Sequence, residues 1–175
     1  MRLVILGGNH KNSQKWIHTI SEYFASDFEV VTINYEHWSE PAGVIAFTTE
    51  LNKLRSIISG DECMVVAKSA GTLLAMQAAA VGILKPVKCI FLGLPITFAA
   101  KHMIDLKSLL AAHKAPSLII QNDRDPMGSF DEIAELVAMV GKDKFAVQSQ
   151  VGSDHCYEDY PAISSYIYKF MESEG

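Results

Sequence analysis

Three kinds of side chain, far apart in this sequence, could together carry out acyl transfer. In VVAKSAGTLL (residues 65–74) Ser69 stands between a strand-like apolar run and a helix-like one, with Ala67 and Gly71 on either side. SLIIQNDRDPMG (117–128) holds Asp123 and Asp125 just past a β-branched run, and KFAVQSQVGSDHCYED (144–159) holds His155 past another. A serine hydroxyl attacks a carbonyl effectively only when a histidine takes its proton, and that histidine needs an acid to fix its tautomer.

Each residue also has a plainer reading. Ser69 could simply cap the helix that follows it. Asp125 precedes Pro126, a common turn pair, and a single loop histidine is usually solvated. The turn around Ser69 departs from G-x-S-x-G at its first position, where Ala67 stands. A sharp strand-to-helix turn crowds the positions two before and two after the serine. Alanine adds only a methyl there, so the departure weakens the motif without breaking its physics. Histidine is not scarce, with His10, His18, His37, His102 and His113 besides, but only His155 follows the last strand candidate. The plain readings would have to coincide at three correct strand ends, which favours catalysis.

The elements that must position these residues alternate along the chain. Strand candidates are 3–6, 28–34, 63–67, 87–92, 117–121 and 144–149; helix candidates lie near 13–25, 43–58, 70–82, 103–113, 130–140 and 161–171. The strands are continuous apolar runs, as in a sheet covered on both faces. The alternation predicts an α/β fold with a doubly wound, mostly parallel six-stranded sheet and helices on both faces. Right-handed crossovers give the order 2-1-3-4-5-6, with the ligand crevice at the carboxyl ends where the order reverses. No repeat or linker interrupts residues 1–175, so one domain is expected.

Composition narrows the partners. Of 175 residues, 49% are hydrophobic and 20% charged, as in a compact globular chain. A net charge of −5 argues against nucleic acid, whose phosphates need clustered Lys and Arg. The opening MRLVILGGNH has too short an apolar run for a signal peptide or a membrane span. Cys63, Cys89 and Cys156 are odd in number and lack metal spacing, and the first two lie in apolar runs. The expectation is a cytoplasmic protein with no metal, no cofactor and no membrane partner; nothing in the sequence sets an oligomeric state. GGNHKNS (7–13) fits neither of the glycine-rich nucleotide loops.

AKSAGT (67–72), FLGLPI (91–96), APSLIIQNDRDPMG (115–128) and GSDHCYED (152–159), in this order, resemble a small α/β-hydrolase. The similarity covers nearly the whole chain and is greatest to the uncapped, dienelactone-hydrolase-like proteins. The resemblance implies that Asp125, the aspartate before proline, is the acid, with Asp123 as the fallback. It implies an oxyanion hole from the backbone N–H groups of Ala70 and, in the loop after the first strand, Asn9, with His10 as its neighbour. The family's usual His-Gly pair is missing from that loop. Asn122 replaces a common glycine and is expected to tolerate left-handed backbone there.

Two loops are expected to wall the pocket, with Tyr35, His37 and Trp38 in 33–41 and Leu94, Ile96 and Phe98 in 93–103. An apolar wall suits a small-molecule ester or acyl substrate. Lys68 is expected to point outward as a solvated charge, and Cys156 to be incidental. The leading reading is a serine hydrolase acting on a small carboxylic ester or thioester. The alternatives are a non-catalytic interaction module on the same fold, or a peptidase or amidase with the same three residues.

Overall fold

The computed structural model describes residues 1–58 and 60–173. Six strands form one sheet: β1 (Arg2–Leu6), β2 (Glu29–Thr32), β3 (Glu62–Lys68), β4 (Lys85–Leu92), β5 (Ser117–Asn122) and β6 (Phe145–Gln150). Their order is β2-β1-β3-β4-β5-β6, and every pairing is parallel. The expected order holds, and the sheet is parallel throughout. Strands β1 and β5 are buried along almost their whole length, which explains the apolar runs at 3–6 and 118–120.

Helices α1 (Ser13–Glu22), α2 (Phe47–Ile57), α3 (Ala70–Ala80), α4 (Ile96–Lys101), α5 (Leu106–Ala112), α6 (Phe130–Val140) and α7 (Tyr160–Glu172) connect the strands. α1 and α7 pack together, while α2, α3, α5 and α6 form the other layer. α1 buries Ser13, Trp16, Ile17 and Ile20, the i, i+3, i+4, i+7 stripe of a helix with one face on the core. α3 is different: eight of its residues, from Ala70 to Ala78, are buried, so it is apolar all round and runs through the core. Its alanines let it lie close against β1, β3 and β4.

Helix ends follow local chemistry. Ser129 and Glu132 form a reciprocal capping box at α6, and Asp105 and Asp159 cap α5 and α7. The single helix expected over 103–113 begins instead at Leu106, because Met103 turns left-handed with φ 56°. Before that turn, residues expected to form only a loop make the short helix α4, which seats Ala99 in the core. Cys63 and Cys89 are buried small apolar groups, and Cys156 is exposed. Among the described residues no helix is long and apolar enough to cross a membrane.

His113 gives the fold a pH dependence. Its ring lies between Phe91 and Phe145, at centroid distances of 5.4 and 6.0 Å. Ser117 donates its hydroxyl proton to the Ala115 carbonyl, so at 2.9 Å it accepts from His113 Nε2–H. Burial, then the charge of Lys144, lowers this imidazole to about 4. The unfolded histidine titrates near the ordinary value of about 6.5. Between about pH 6.5 and 4 the unfolded chain therefore binds the extra proton, so stability falls as pH is lowered through that window. Urea midpoints taken from pH 7 to 4 should show this fall, and His113→Gln should flatten it.

Candidate active site

The site lies where the strand order reverses, at the carboxyl ends of β1 and β3. Ser69 is the single residue between β3 and α3. Its backbone has φ 54° and ψ −127°, a conformation that L residues seldom adopt and that costs about 1–3 kcal/mol. The helix-cap reading fails here, because a cap has extended backbone and its side chain accepts an N–H from the first turn. Ser69 does neither. Its Oγ stands 2.8 Å from His155 Nε2 instead.

The small residues around Ser69 are sterically required. A Cβ on Gly71 would meet the Gly7 carbonyl oxygen at 2.5 Å and that of Leu6 at 2.8 Å. Gly71→Ala is thus expected to destabilise the chain by roughly 2 kcal/mol despite alanine's better helix propensity. Urea unfolding checks the stability, and the displaced turn should cost activity as well. Ala67 is fully buried in β3, between Leu6 and Phe91 of the neighbouring strands.

His155 comes from the loop after β6 and Asp125 from the loop after β5. His155 Nδ1–H donates to the Asp125 carboxylate, 2.9 Å from Oδ1 and 2.8 Å from Oδ2. The Asp125 side chain is fully buried, while that of His155 keeps 20% exposure towards the opening. Met127 N–H donates to Asp125 Oδ1 at 2.8 Å, and the Tyr157 hydroxyl to Oδ2 at 2.6 Å. Asp123 faces elsewhere and accepts the Gly152 N–H at 2.9 Å. Of the two candidates, Asp125 is the one in contact with His155. Asn122 has no left-handed backbone. It ends β5 and donates its side-chain N–H to the Asp154 carbonyl, tying down the histidine loop.

The loop after β1 touches the serine: a Cβ on Gly8 would lie 3.0 Å from Ser69 Cβ and 3.4 Å from its Oγ. Asn9 follows. Its side chain accepts the Ile45 N–H at 2.8 Å, and its carbonyl lies 2.7 Å from His37 Nε2. The backbone N–H groups of Asn9 and Ala70 have no acceptor among the described residues. Free amides in the two segments that adjoin Ser69 suit a developing oxyanion.

Three expected pocket residues belong to the framework instead. Tyr35 is 2% exposed and donates its hydroxyl to the Gly7 carbonyl at 3.0 Å. Trp38 is 8% exposed and donates its indole N–H to the Gly8 carbonyl at 3.2 Å. Both brace the loop after β1 from behind. The segment folds inward because buried Glu50 accepts the Glu36 N–H. Leu94 is fully buried, and its N–H donates to Gln121 Oε1. Ile96 and Phe98 remain half-exposed.

Lys68 is not solvated as expected. It is 8% exposed, with Nζ 5.3 Å from the centre of the Trp16 ring, a cation–π placement. Burial lowers its ammonium, while Cys156, Glu158, Asp154 and Asp125 act in the opposite direction. The charge lies under the histidine loop. A concavity of about 470 Å³ is lined in part by Met76, Leu84, Leu109 and His113, and neither Ser69 nor His155 lines it. Among the described residues no group of three or more His, Cys, Asp or Glu could hold a metal ion.

Sequence reasoning missed Tyr157. No periodic signal could have found it, because its backbone turns left-handed (φ 54°) and so breaks the i, i+2 alternation of an extended segment.

No protein-family model matches the chain, and no curated protein matches it either. Solved structures do. An uncharacterized protein from Bacillus cereus ATCC 10987 superposes with TM-score 0.74 at 16% identity, over 98% of this chain and 60% of its own. The chain thus spans less than two thirds of that protein. Naproxen esterase (carboxylesterase NP) from Bacillus subtilis gives 0.75 at 10% identity, over 98% and 83%. An α/β-hydrolase enzyme from a Medee basin deep-sea metagenome library gives 0.73 at 13%, over 99% and 90%. The sheet order, the parallel pairing and these likenesses give one conclusion: this chain has the α/β-hydrolase fold.

Proposed function

We propose that this chain is a serine hydrolase of the uncapped, dienelactone-hydrolase-like kind, cleaving a small carboxylic ester or thioester through an acyl-enzyme on Ser69. The observation that carries the reading is the unbroken line of hydrogen bonds from Ser69 Oγ through His155 to the buried Asp125 carboxylate. As Oγ attacks the carbonyl carbon, His155 Nε2 takes the serine proton and Asp125 stabilises the imidazolium. The Ala70 and Asn9 amides hold the oxyanion. Collapse of the tetrahedral intermediate expels the alcohol or thiol, which leaves with the proton from His155. Water then attacks the acyl-enzyme with His155 again as base, and the acid is released.

Strain at Ser69 supports the same reading, because a left-handed serine without a capping role has no structural benefit. A non-catalytic module would have no need of it. The half-exposed Ile96 and Phe98 suit a modest apolar acyl or leaving group. A panel of short-chain esters, thioesters and aminopeptide amides tests the reaction class. Turnover of esters or thioesters that is lost in Ser69→Ala is expected. Turnover of the amides alone would favour a peptidase, and no turnover of any kind would favour the interaction module.

A further inference from the structure

Tyr157 lies inside the site but has no part in the chemistry above. It is 2% exposed, and its backbone has φ 54°, which a bulky residue adopts only when its surroundings hold it there. Trp16 of α1 holds the backbone by donating its indole N–H to the Tyr157 carbonyl at 2.8 Å. The Asn122 backbone N–H donates to the Tyr157 hydroxyl oxygen at 3.0 Å. With that lone pair engaged, the hydroxyl proton is directed to Asp125 Oδ2 at 2.6 Å.

The fold keeps space for this arrangement. Gly93, at φ 63°, lies where a Cβ would be 2.5 Å from Tyr157 Cε2 and 2.9 Å from His155 Cε1. The two rings meet edge to face, with centroids 5.8 Å apart. Each oxygen of the Asp125 carboxylate thus has one donor besides His155: Met127 N–H on Oδ1 and Tyr157 on Oδ2. Burial, then the hydrogen bond to Asp125, raises the Tyr157 phenol, so it remains a donor at neutral pH.

We propose that Tyr157 is a positioning residue of this site: its hydroxyl fixes the rotation of the Asp125 carboxylate and takes up part of its charge, keeping the His155 ring aimed at Ser69. This rests on the reading of Ser69, His155 and Asp125 as the catalytic set. In Tyr157→Phe, Oδ2 keeps only the His155 donor and the Asn122 N–H loses its acceptor, while the aromatic packing remains. The carboxylate, fully buried, then places more of its charge on the imidazole and favours its protonated form. Among the charged or titratable groups nearby, Lys68 on β3 interacts with Asp125 and with Asp154, Cys156 and Glu158 of the histidine loop. The substitution leaves all of these in place.

The test compares wild type, Ser69→Ala and Tyr157→Phe by kcat and KM across pH on the best ester of the panel. For Tyr157→Phe, kcat is expected to fall roughly tenfold with KM within about twofold. The acid limb of its pH–rate profile should move up by about half a pH unit. Unchanged kcat and an unmoved acid limb, with any loss confined to the melting temperature, would overturn the proposal. If Tyr157→Phe does not fold, 3,5-difluorotyrosine at position 157 replaces it. Its more acidic hydroxyl is a stronger donor, so the acid limb should move down, and an unmoved limb again overturns the proposal. Wild type with no Ser69-dependent turnover sinks the hydrolase reading and this inference together; active wild type with an unmoved limb sinks only the inference.

Discussion

Ser69→Ala is expected to reduce kcat by about 10⁶, to the background that binding and oxyanion donors alone sustain. Among the described residues, the Ser69 hydroxyl is the one side chain hydrogen-bonded to His155 Nε2, at 2.8 Å. The same position gives a stability result specific to this backbone. Both Ser69→Ala and Ser69→Gly lose the hydroxyl, so comparing them isolates the Cβ. At an ordinary helix start alanine would be the more stable of the two. At φ 54° and ψ −127° the order should reverse, with glycine more stable by about 1 kcal/mol, since it relieves backbone strain at some entropic cost. Urea unfolding of the two inactive variants measures this difference. Alanine more stable than glycine would mean that the turn is not strained as described.

Asp125→Asn should lower kcat by about 10⁴ while leaving the fold intact. Asp125 accepts His155 Nδ1–H, which leaves Nε2 as the base facing Ser69. An asparagine can turn its N–H₂ towards Nδ1 and stabilise the opposite tautomer, with the proton on Nε2, where it cannot take the serine proton. Asp123→Asn is the internal control, two residues away. Asp123 accepts the Gly152 N–H and does not touch His155, so kcat should stay within about threefold and the cost should be about 1 kcal/mol of stability. Steady-state kinetics on both variants separates the two aspartates. Equal losses would place the acid wrongly.

The residues proposed to do the chemistry were legible because strand ends are legible. Continuous β-branched runs marked β3, β5 and β6, and a doubly wound order brings the loops after them to one crevice. Ser69, Asp125 and His155 each stand within a few residues of such an end. What surrounds them was less legible. Lys68 ends a strand beside a serine, so it was expected in solvent. Trp16, 52 positions earlier, and the histidine loop bury it from both sides. Tyr35, Trp38 and Leu94 looked like pocket walls because they follow strands, but their hydrogen bonds to Gly7, Gly8 and Gln121 turn them into supports. The hydroxyl of Tyr157 meets partners at separations of 32 and 35 residues, which leave no periodic trace in a sequence.

The central claim is that Ser69 is an activated nucleophile held by His155 and Asp125. The most direct measurement is intact-protein mass spectrometry of the folded chain after treatment with a fluorophosphonate at neutral pH. One phosphonyl group should be added to wild type, mapping to Ser69 by peptide sequencing, with none on Ser69→Ala. Folded wild type that stays unlabelled, or an adduct that maps elsewhere and persists in Ser69→Ala, would contradict it.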